Sequence, residues 1–96
     1  MRTIAENNFK FVVHKHFGEL GIPDGESTWA KHFTIVEWGY NNPPRFDIRG
    51  WSKDMAMPLK GTTLTLEELR TLKELINGLD LDNFEMPEKK LVFQIG

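Results

Sequence analysis

One segment of this chain has the periodicity of an amphipathic helix, and it follows Thr65. Glu68 stands three residues after Thr65. In this capping-box pattern the threonine hydroxyl accepts a hydrogen bond from the glutamate amide, and the glutamate carboxylate accepts one from the threonine amide. A helix is therefore predicted to begin after Thr65 and to end before Gly78, a residue type that often follows a last helical turn. Its apolar residues recur every three or four positions: Leu66, Leu69, Leu72, Leu75, Ile76 and Leu79.

The apolar stripe of this predicted helix is wider than a single packing partner would cover. We expect it to cover a face of a β-sheet and to have area left for a second partner. A chain of 96 residues is about one domain, and it buries only about 60–65% of the surface that it exposes when unfolded. Oligomerisation is therefore expected, together with a single domain over residues 1–96.

Alternation of apolar and polar residues predicts strands before the helix. The predicted strands are Phe9–Phe17, Ala30–Tyr40, Arg45–Trp51 and a weaker edge strand, Met55–Leu64. Pro58 and Gly61 interrupt the last of these, as is usual at a sheet edge. Turn-forming residues separate the strands at Gly18–Thr28 and Asn41–Pro44. Leu91–Ile95 is a candidate for one more short strand, so the expected fold class is α+β.

In the second and third strands, alternation divides the side chains between two faces. Phe33, Ile35, Phe46 and Ile48 are predicted to point inward. The outward set interleaves aromatic residues with cations. It comprises Trp38, Tyr40, Arg45, Arg49 and Trp51, with Lys53 and Lys60 in the adjoining turn and strand. Lys10, Lys31 and His32 are further candidates for the same binding site.

This interleaving suits single-stranded nucleic acid. Unpaired bases stack on aromatic rings, at about 1–3 kcal/mol for each base, while lysine and arginine neutralise phosphates without reading sequence. The alternative is that the tryptophans belong to a core or to a subunit interface. A protein-interaction module using the same aromatic face is therefore the competing function.

Metal and catalytic interpretations have weaker support. His14 and His16 fall on one side of the predicted first strand, where they could share a metal ion with His32, but no acidic residue has evident ligand spacing. Ser27 and Ser52 are the only serines, and neither lies in a nucleophile-elbow context. We expect no cofactor, no metal and no enzymatic activity.

Charge and composition limit the ligands and the cellular locations that are expected for this chain. Residues 1–65 hold eight Lys/Arg against seven Asp/Glu, whereas residues 66–96 hold four against seven, so the first two-thirds can still face a polyanion. The absence of cysteine excludes disulfides and thiolate metal sites. No run of residues approaches the roughly 18 apolar residues of a membrane helix. We expect a soluble, cytoplasmic protein with no membrane contact.

An ordered set of motifs runs from the third strand into the helix. Phe46-Asp47-Ile48-Arg49-Gly50-Trp51 is followed by Lys60-Gly61-Thr62-Thr63-Leu64, and the helix ends in Leu72-Lys73-Glu74-Leu75-Ile76. This combination, over about Ala30–Gly78, resembles the C-terminal domain of the transcriptional coactivator positive cofactor four, and in particular its small bacterial relatives of the YdbC type.

The resemblance implies a strongly curved, four-stranded antiparallel sheet followed by one helix. It also implies a homodimer formed largely through the helices, here through Leu69, Leu72, Leu75 and Ile76. Such dimers bind single-stranded DNA with little sequence preference, and the same surface could accept RNA. The transcription machinery is a further partner that the resemblance suggests.

The resemblance also assigns binding roles to individual residues of this chain, according to the family positions that they match. Arg49 and Lys60 match basic positions of the family, and Trp51 lies one place from the family's aromatic residue. Either Trp38 or Tyr40 would serve as the aromatic residue of the hairpin. Asn41–Pro44 replaces a lysine-bearing hairpin of the family, so binding is expected to depend more on stacking.

Overall fold

Four strands and one helix make up the fold. The computed structural model describes residues 11–21, 28–39 and 41–88. The antiparallel sheet has the order β1-β2-β3-β4, with β1 at Phe11–Glu19, β2 at Trp29–Trp38, β3 at Arg45–Ser52 and β4 at Pro58–Leu64. Helix α1, Leu66–Asn77, follows, and then a single 3₁₀ turn, Leu81–Asn83. The predicted α+β order is confirmed, whereas the predicted strand Leu91–Ile95 lies outside the described residues.

The first strand does not keep strict alternation. Its pairing with β2 shifts register between Val13 and Lys15 and again between His16 and Gly18. Each such bulge adds a residue and changes which face the following side chains occupy. Phe11 therefore shares a face with His16, although simple alternation predicts opposite faces. Alternation along β1 does not reveal these bulges, because they arise from pairing with a distant strand.

The sheet has two chemically different faces. Cross-strand pairs such as Thr34 with Asp47 and His32 with Arg49 fix which side chains share a face. We call one the tryptophan face: Phe11, His16, Ala30, His32, Thr34, Val36, Trp38, Asp47, Arg49 and Trp51. We call the other the phenylalanine face: Lys15, Phe17, Trp29, Lys31, Phe33, Ile35, Phe46 and Ile48.

The division of side chains in β2 and β3 between two faces is confirmed, but the predicted inside and outside are wrong. Trp51 belongs to the set predicted to point outward, yet it is fully buried, as are Val36, Thr34 and Asp47 of the same face. The phenylalanine-face residues of β2 and β3 that were predicted to point inward keep intermediate exposure. One reason is that the Asp47 carboxylate accepts hydrogen bonds from Arg49 and Trp38, so this charge can be buried with its hydrogen bonds satisfied.

The helix begins as the capping box predicts. The Thr65 hydroxyl accepts from the Glu68 amide at 3.1 Å, and a Glu68 carboxylate oxygen accepts from the Thr65 amide at 2.9 Å. At the other end, Gly78 follows the last helical residue as expected. It has right-handed geometry, with φ of −82°, so this helix end does not use the left-handed conformation open to glycine.

Helix α1 leaves its apolar stripe largely exposed. Only Thr65 separates β4 from α1, so the helix departs from the end of an edge strand. Among the described elements it contacts β3 and β4 alone, and none of its residues is buried. The expectation that α1 covers a sheet face is therefore wrong, and Leu66, Leu75 and Ile76 remain exposed. No helix in the described parts of the chain is long and apolar enough to cross a membrane.

Candidate nucleic-acid interface

A buried carboxylate organises the tryptophan face. Asp47 is fully buried, and its two oxygens accept hydrogen bonds from Nε and Nη2 of Arg49 at 2.7 and 2.8 Å. The indole nitrogen of Trp38 donates to the same carboxylate at 3.3 Å. The remaining guanidinium nitrogen, Nη1, donates to the Leu59 carbonyl at 3.2 Å. All three nitrogens of Arg49 are thus engaged within the fold, which corrects its predicted outward position.

The two tryptophans of this face are packed against neighbouring side chains. The rings of Trp38 and Trp51 stack with centroids 6.3 Å apart, and Phe11 packs edge-on against Trp51 at 5.3 Å. The Arg49 guanidinium lies 4.4 Å from the ring centroid of Trp38. Trp51 is fully buried, and its indole nitrogen has no hydrogen-bond partner among the described residues. The prediction that Trp51 presents its ring outward for base stacking is therefore wrong.

A histidine pair joins β1 to β2 on the same face. His16 Nε2 and His32 Nδ1 lie 2.8 Å apart, so one ring donates a hydrogen bond and the other accepts it. An accepting imidazole nitrogen must be unprotonated. Burial lowers the pKa of His32, the neighbouring His16 lowers it further, and Glu19 acts in the opposite direction. The hydrogen bond requires that one of the two facing nitrogens is unprotonated, and the lowered pKa of His32 favours its neutral form.

The predicted three-histidine arrangement does not form. His14 lies 2.9 Å from the carboxylate of Glu37, a residue on the opposite side of β2 from His32. The bulge after Val13 causes this separation, because it moves His14 and His16 out of simple alternation. Among the described residues no group of three or more His, Cys, Asp or Glu could hold a metal ion.

We expect acid to destabilise the protein through His32. The unfolded side chain takes up a proton near its ordinary pKa of 6.5, whereas the lowered pKa delays protonation in the folded state. The unfolded state therefore binds more protons in this window, so the stabilising effect is complete above pH 6.5 and is lost as the pH falls toward the folded pKa.

Urea unfolding at about pH 7.5 and 5.5 checks this effect, because few other side chains titrate in that range. The midpoint of the wild-type protein should fall at the lower pH, and His32→Gln should reduce that fall. An equal fall in both proteins would remove His32 as the cause.

The accessible aromatic surface lies on the phenylalanine face. Phe17 and Phe33 have ring centroids 4.8 Å apart, and Phe46 lies 6.1 and 5.9 Å from them. Phe17 is 44% exposed, and Phe33 and Phe46 are half-buried. Lys15 Nζ lies 5.8 Å from the centroid of Phe17, and both Lys15 and Lys31 are exposed. This face therefore combines packed aromatic rings with exposed lysines.

Sequence reasoning missed Phe17, Phe33, Phe46 and Lys15 as functional candidates. A signal was present, because Lys31 and Phe33 are two residues apart in one strand, as are Lys15 and Phe17, so each lysine shares a face with a phenylalanine. Phenylalanine is more often a core residue than a surface residue. This general preference predicts an inward face even though lysines share it.

The structure divides the residues that the sequence grouped as one site. Trp38, Trp51, Arg49 and His32 lie on the tryptophan face, whereas Lys31 lies on the phenylalanine face. Lys53 and Lys60 are exposed in the turn after β3 and in edge strand β4. Arg45 is half-buried and lines a cavity of about 380 Å³ beside the start of α1. The remaining two candidates, Lys10 and Tyr40, lie outside the described residues.

Comparison with known proteins finds a relative in Treponema pallidum. Models of known protein families give no match to this chain. The chain is 30% identical over 81 residues to an uncharacterized protein of Treponema pallidum, strain Nichols. The aligned region covers 84% of this chain and 92% of that protein, so the similarity extends over nearly the whole of both.

Proposed function

The chain belongs to the same family as the Treponema pallidum protein, and we propose that it binds single-stranded nucleic acid without catalysing a reaction. One observation carries the proposal: the stack of Phe17, Phe33 and Phe46 is partly exposed, and Lys15 and Lys31 flank it on the same face. Every unpaired base has a π-face that can stack on such rings, and lysines neutralise phosphates whatever the sequence.

The exposed lysines carry the electrostatic part of the proposal. Arg49 is neutralised by Asp47, so its charge contributes little to a phosphate contact. Lys31, Lys53 and Lys60 are exposed, and no ion pair joins any of them to an acidic residue in the described part of the chain. Single-stranded DNA is the ligand that the resemblance to positive cofactor four favours, and RNA offers the same stacking surfaces and phosphates.

The proposed binding unit is a homodimer paired through α1, on a strongly curved sheet. The helix presents Leu69, Leu72, Leu75 and Ile76 along one side, and no part of its own sheet buries them. The register shifts in β1 and between Arg49 and Trp51 support curvature, since bulges bend and twist a sheet. Pairing would remove the exposed leucines from water and leave the lysines accessible. In cells, such a dimer would act as an accessory factor, with the transcription machinery as one candidate partner.

We expect Lys31→Ala to weaken binding about equally for all single-stranded sequences. Losing one phosphate contact should reduce the slope of log affinity against log salt by about 0.7, the value for one charge on a single strand. Fluorescence anisotropy with a labelled oligothymidine of about 20 nucleotides, at two salt concentrations, measures both quantities. Lys73→Ala is the matched control, because Lys73 is an exposed lysine of α1.

Two outcomes would change the proposal. If Lys31→Ala keeps the affinity and salt slope of the wild-type protein, Lys31 is not part of the site. If the folded wild-type protein binds neither a single strand nor the matching duplex at low salt, the nucleic-acid proposal fails. The exposed apolar surface would then point to a protein-interaction module.

A further inference from the structure

An acidic and apolar segment follows helix α1. We call residues 79–88 the acidic arm; it contains four carboxylates and no Lys or Arg. Its 3₁₀ turn, Leu81–Asn83, contacts none of the other described elements, although Asp80 accepts hydrogen bonds from both the amide and the side chain of Asn83. Leu81, Phe84 and Met86 are 62%, 48% and 76% exposed. A segment with ordered local bonds and exposed apolar side chains is typical of an interaction site.

A cavity whose lining complements the acidic arm lies beside the start of α1, whereas the arm follows the end of this helix. It has a volume of about 380 Å³ and is lined mainly by apolar side chains, including Ile35, Pro44, Phe46, Leu64 and Leu66. One cation, Arg45, also lines it. The volume falls in the range of pockets that bury an apolar group beside a few polar ones. An acidic ligand with a large apolar side chain would suit this cavity.

The arm of the same chain is poorly placed to fill this cavity. Helix α1 has 12 residues and is therefore about 18 Å long, and it separates the arm from the cavity at its own start. In a twofold dimer with antiparallel helices, the end of one helix lies beside the start of the other. Gly78 of one copy would then lie near Thr65 of the second copy, which lines the cavity.

We propose that the acidic arm of each copy docks in the cavity of a second copy, with Leu81 inside it and Asp82 facing the partner's Arg45. The proposal rests on the homodimer proposed above and is independent of nucleic-acid binding. Charge complementarity supports the choice of occupant, because the arm has only acidic charges and the cavity has one cation. Docking of the two arms would bury apolar surface that neither copy buries by itself.

Cysteine cross-linking tests the docking directly, since the chain has no cysteine of its own. The variant Pro43→Cys/Leu81→Cys places one thiol at the rim of the cavity and one in the arm. After mild oxidation, a non-reducing gel should show a covalent dimer. The control variant Lys53→Cys/Leu81→Cys places the first thiol in the turn after β3, at the other end of that strand from Arg45, and should stay uncross-linked.

Each other outcome overturns a stated part of the proposal. A disulfide within a single chain would show that the arm folds back onto its own cavity. No disulfide in a protein that sedimentation shows to be dimeric would remove the arm from the interface and leave the helix dimer standing. A monomer at micromolar concentration, without cross-linking, would overturn the dimer itself.

A second variant measures what the contact contributes without introducing thiols. Leu81→Ser should raise the dissociation constant of the dimer about tenfold or more, because it removes a leucine from the cavity. Met86→Ser, at a more exposed position of the same arm, should change the constant little. Equal effects of the two substitutions would contradict the placement of Leu81 in the cavity.

Discussion

Gly61→Ala should destabilise the protein by about 3 kcal/mol or more, which is a large fraction of the stability of a small domain. Gly61 pairs with Arg49 across β3 and β4. A Cβ atom at Gly61 would overlap the Cβ and Cα atoms of Arg49 and the carbonyl oxygen of Ile48. Two of these three atoms belong to the backbone of β3, so the overlap can be relieved only by separating the two strands. Urea unfolding of the purified variant measures the loss.

Gly18→Ala is the matched control for this substitution. Gly18 also lies in a strand, but no atom comes within 4 Å of the position where its Cβ would lie. Alanine there should be neutral or should stabilise the protein slightly, since it restricts the unfolded chain more than glycine does. Similar unfolding midpoints for Gly61→Ala and the wild-type protein would contradict the close approach of the two strands.

The close approach at Gly61 gives a physical account of the motifs that resemble positive cofactor four. Arg49 comes from the first motif and Gly61 from the second, and the β3–β4 register places them opposite each other. The arginine lies between its neighbour Asp47 and the Leu59 carbonyl, to which its guanidinium donates. In this structure the motifs therefore hold a strand pair together, whereas the resemblance by itself assigns Arg49 to phosphate binding.

The parts of the fold that could be predicted depend on local sequence. The start of α1 follows from Thr65 and Glu68, which are three residues apart and bond to each other. The strands follow from alternation, and Pro58 correctly indicates an edge strand. The positions of the bulges and the exposure of the helix depend on contacts between distant residues, which no local pattern encodes.

The inside and the outside of the sheet could not be predicted for a specific reason. Both faces mix apolar and polar residues, so hydrophobicity by itself does not decide between them. Asp47 and Arg49 are two residues apart on one face, and their mutual pairing lets that face be buried. From the sequence alone, two charged residues at this spacing predict an exposed face. Trp51 is consequently buried on a face that alternation predicts to be exposed, while Lys31, Lys53 and Lys60 are exposed as expected.

Asp47→Ala should cost about 3–5 kcal/mol, because it leaves a mostly buried arginine charge without its partner. The Arg49 side chain in this pair is 17% exposed and that of Asp47 is fully buried. Trp38 would also lose the carboxylate that accepts a hydrogen bond from its indole N–H. Glu37→Ala is the matched control, since it removes the exposed contact with His14 and should cost less than about 1 kcal/mol. Equal losses for the two variants would show that Asp47 is no more important than a surface charge.

The double variant Asp47→Ala/Arg49→Met distinguishes a structural role of Arg49 from a phosphate-binding role. Removing both charges should recover part of the stability lost in Asp47→Ala, because no unpaired cation remains inside the sheet. If Arg49 acts only within the fold, the folded double variant should bind oligothymidine with the affinity and salt slope of the wild-type protein. A slope reduced by about 0.7 would instead identify Arg49 as a phosphate ligand that Asp47 releases on binding. The tryptophan face would then have to open when nucleic acid binds, since Asp47 is fully buried.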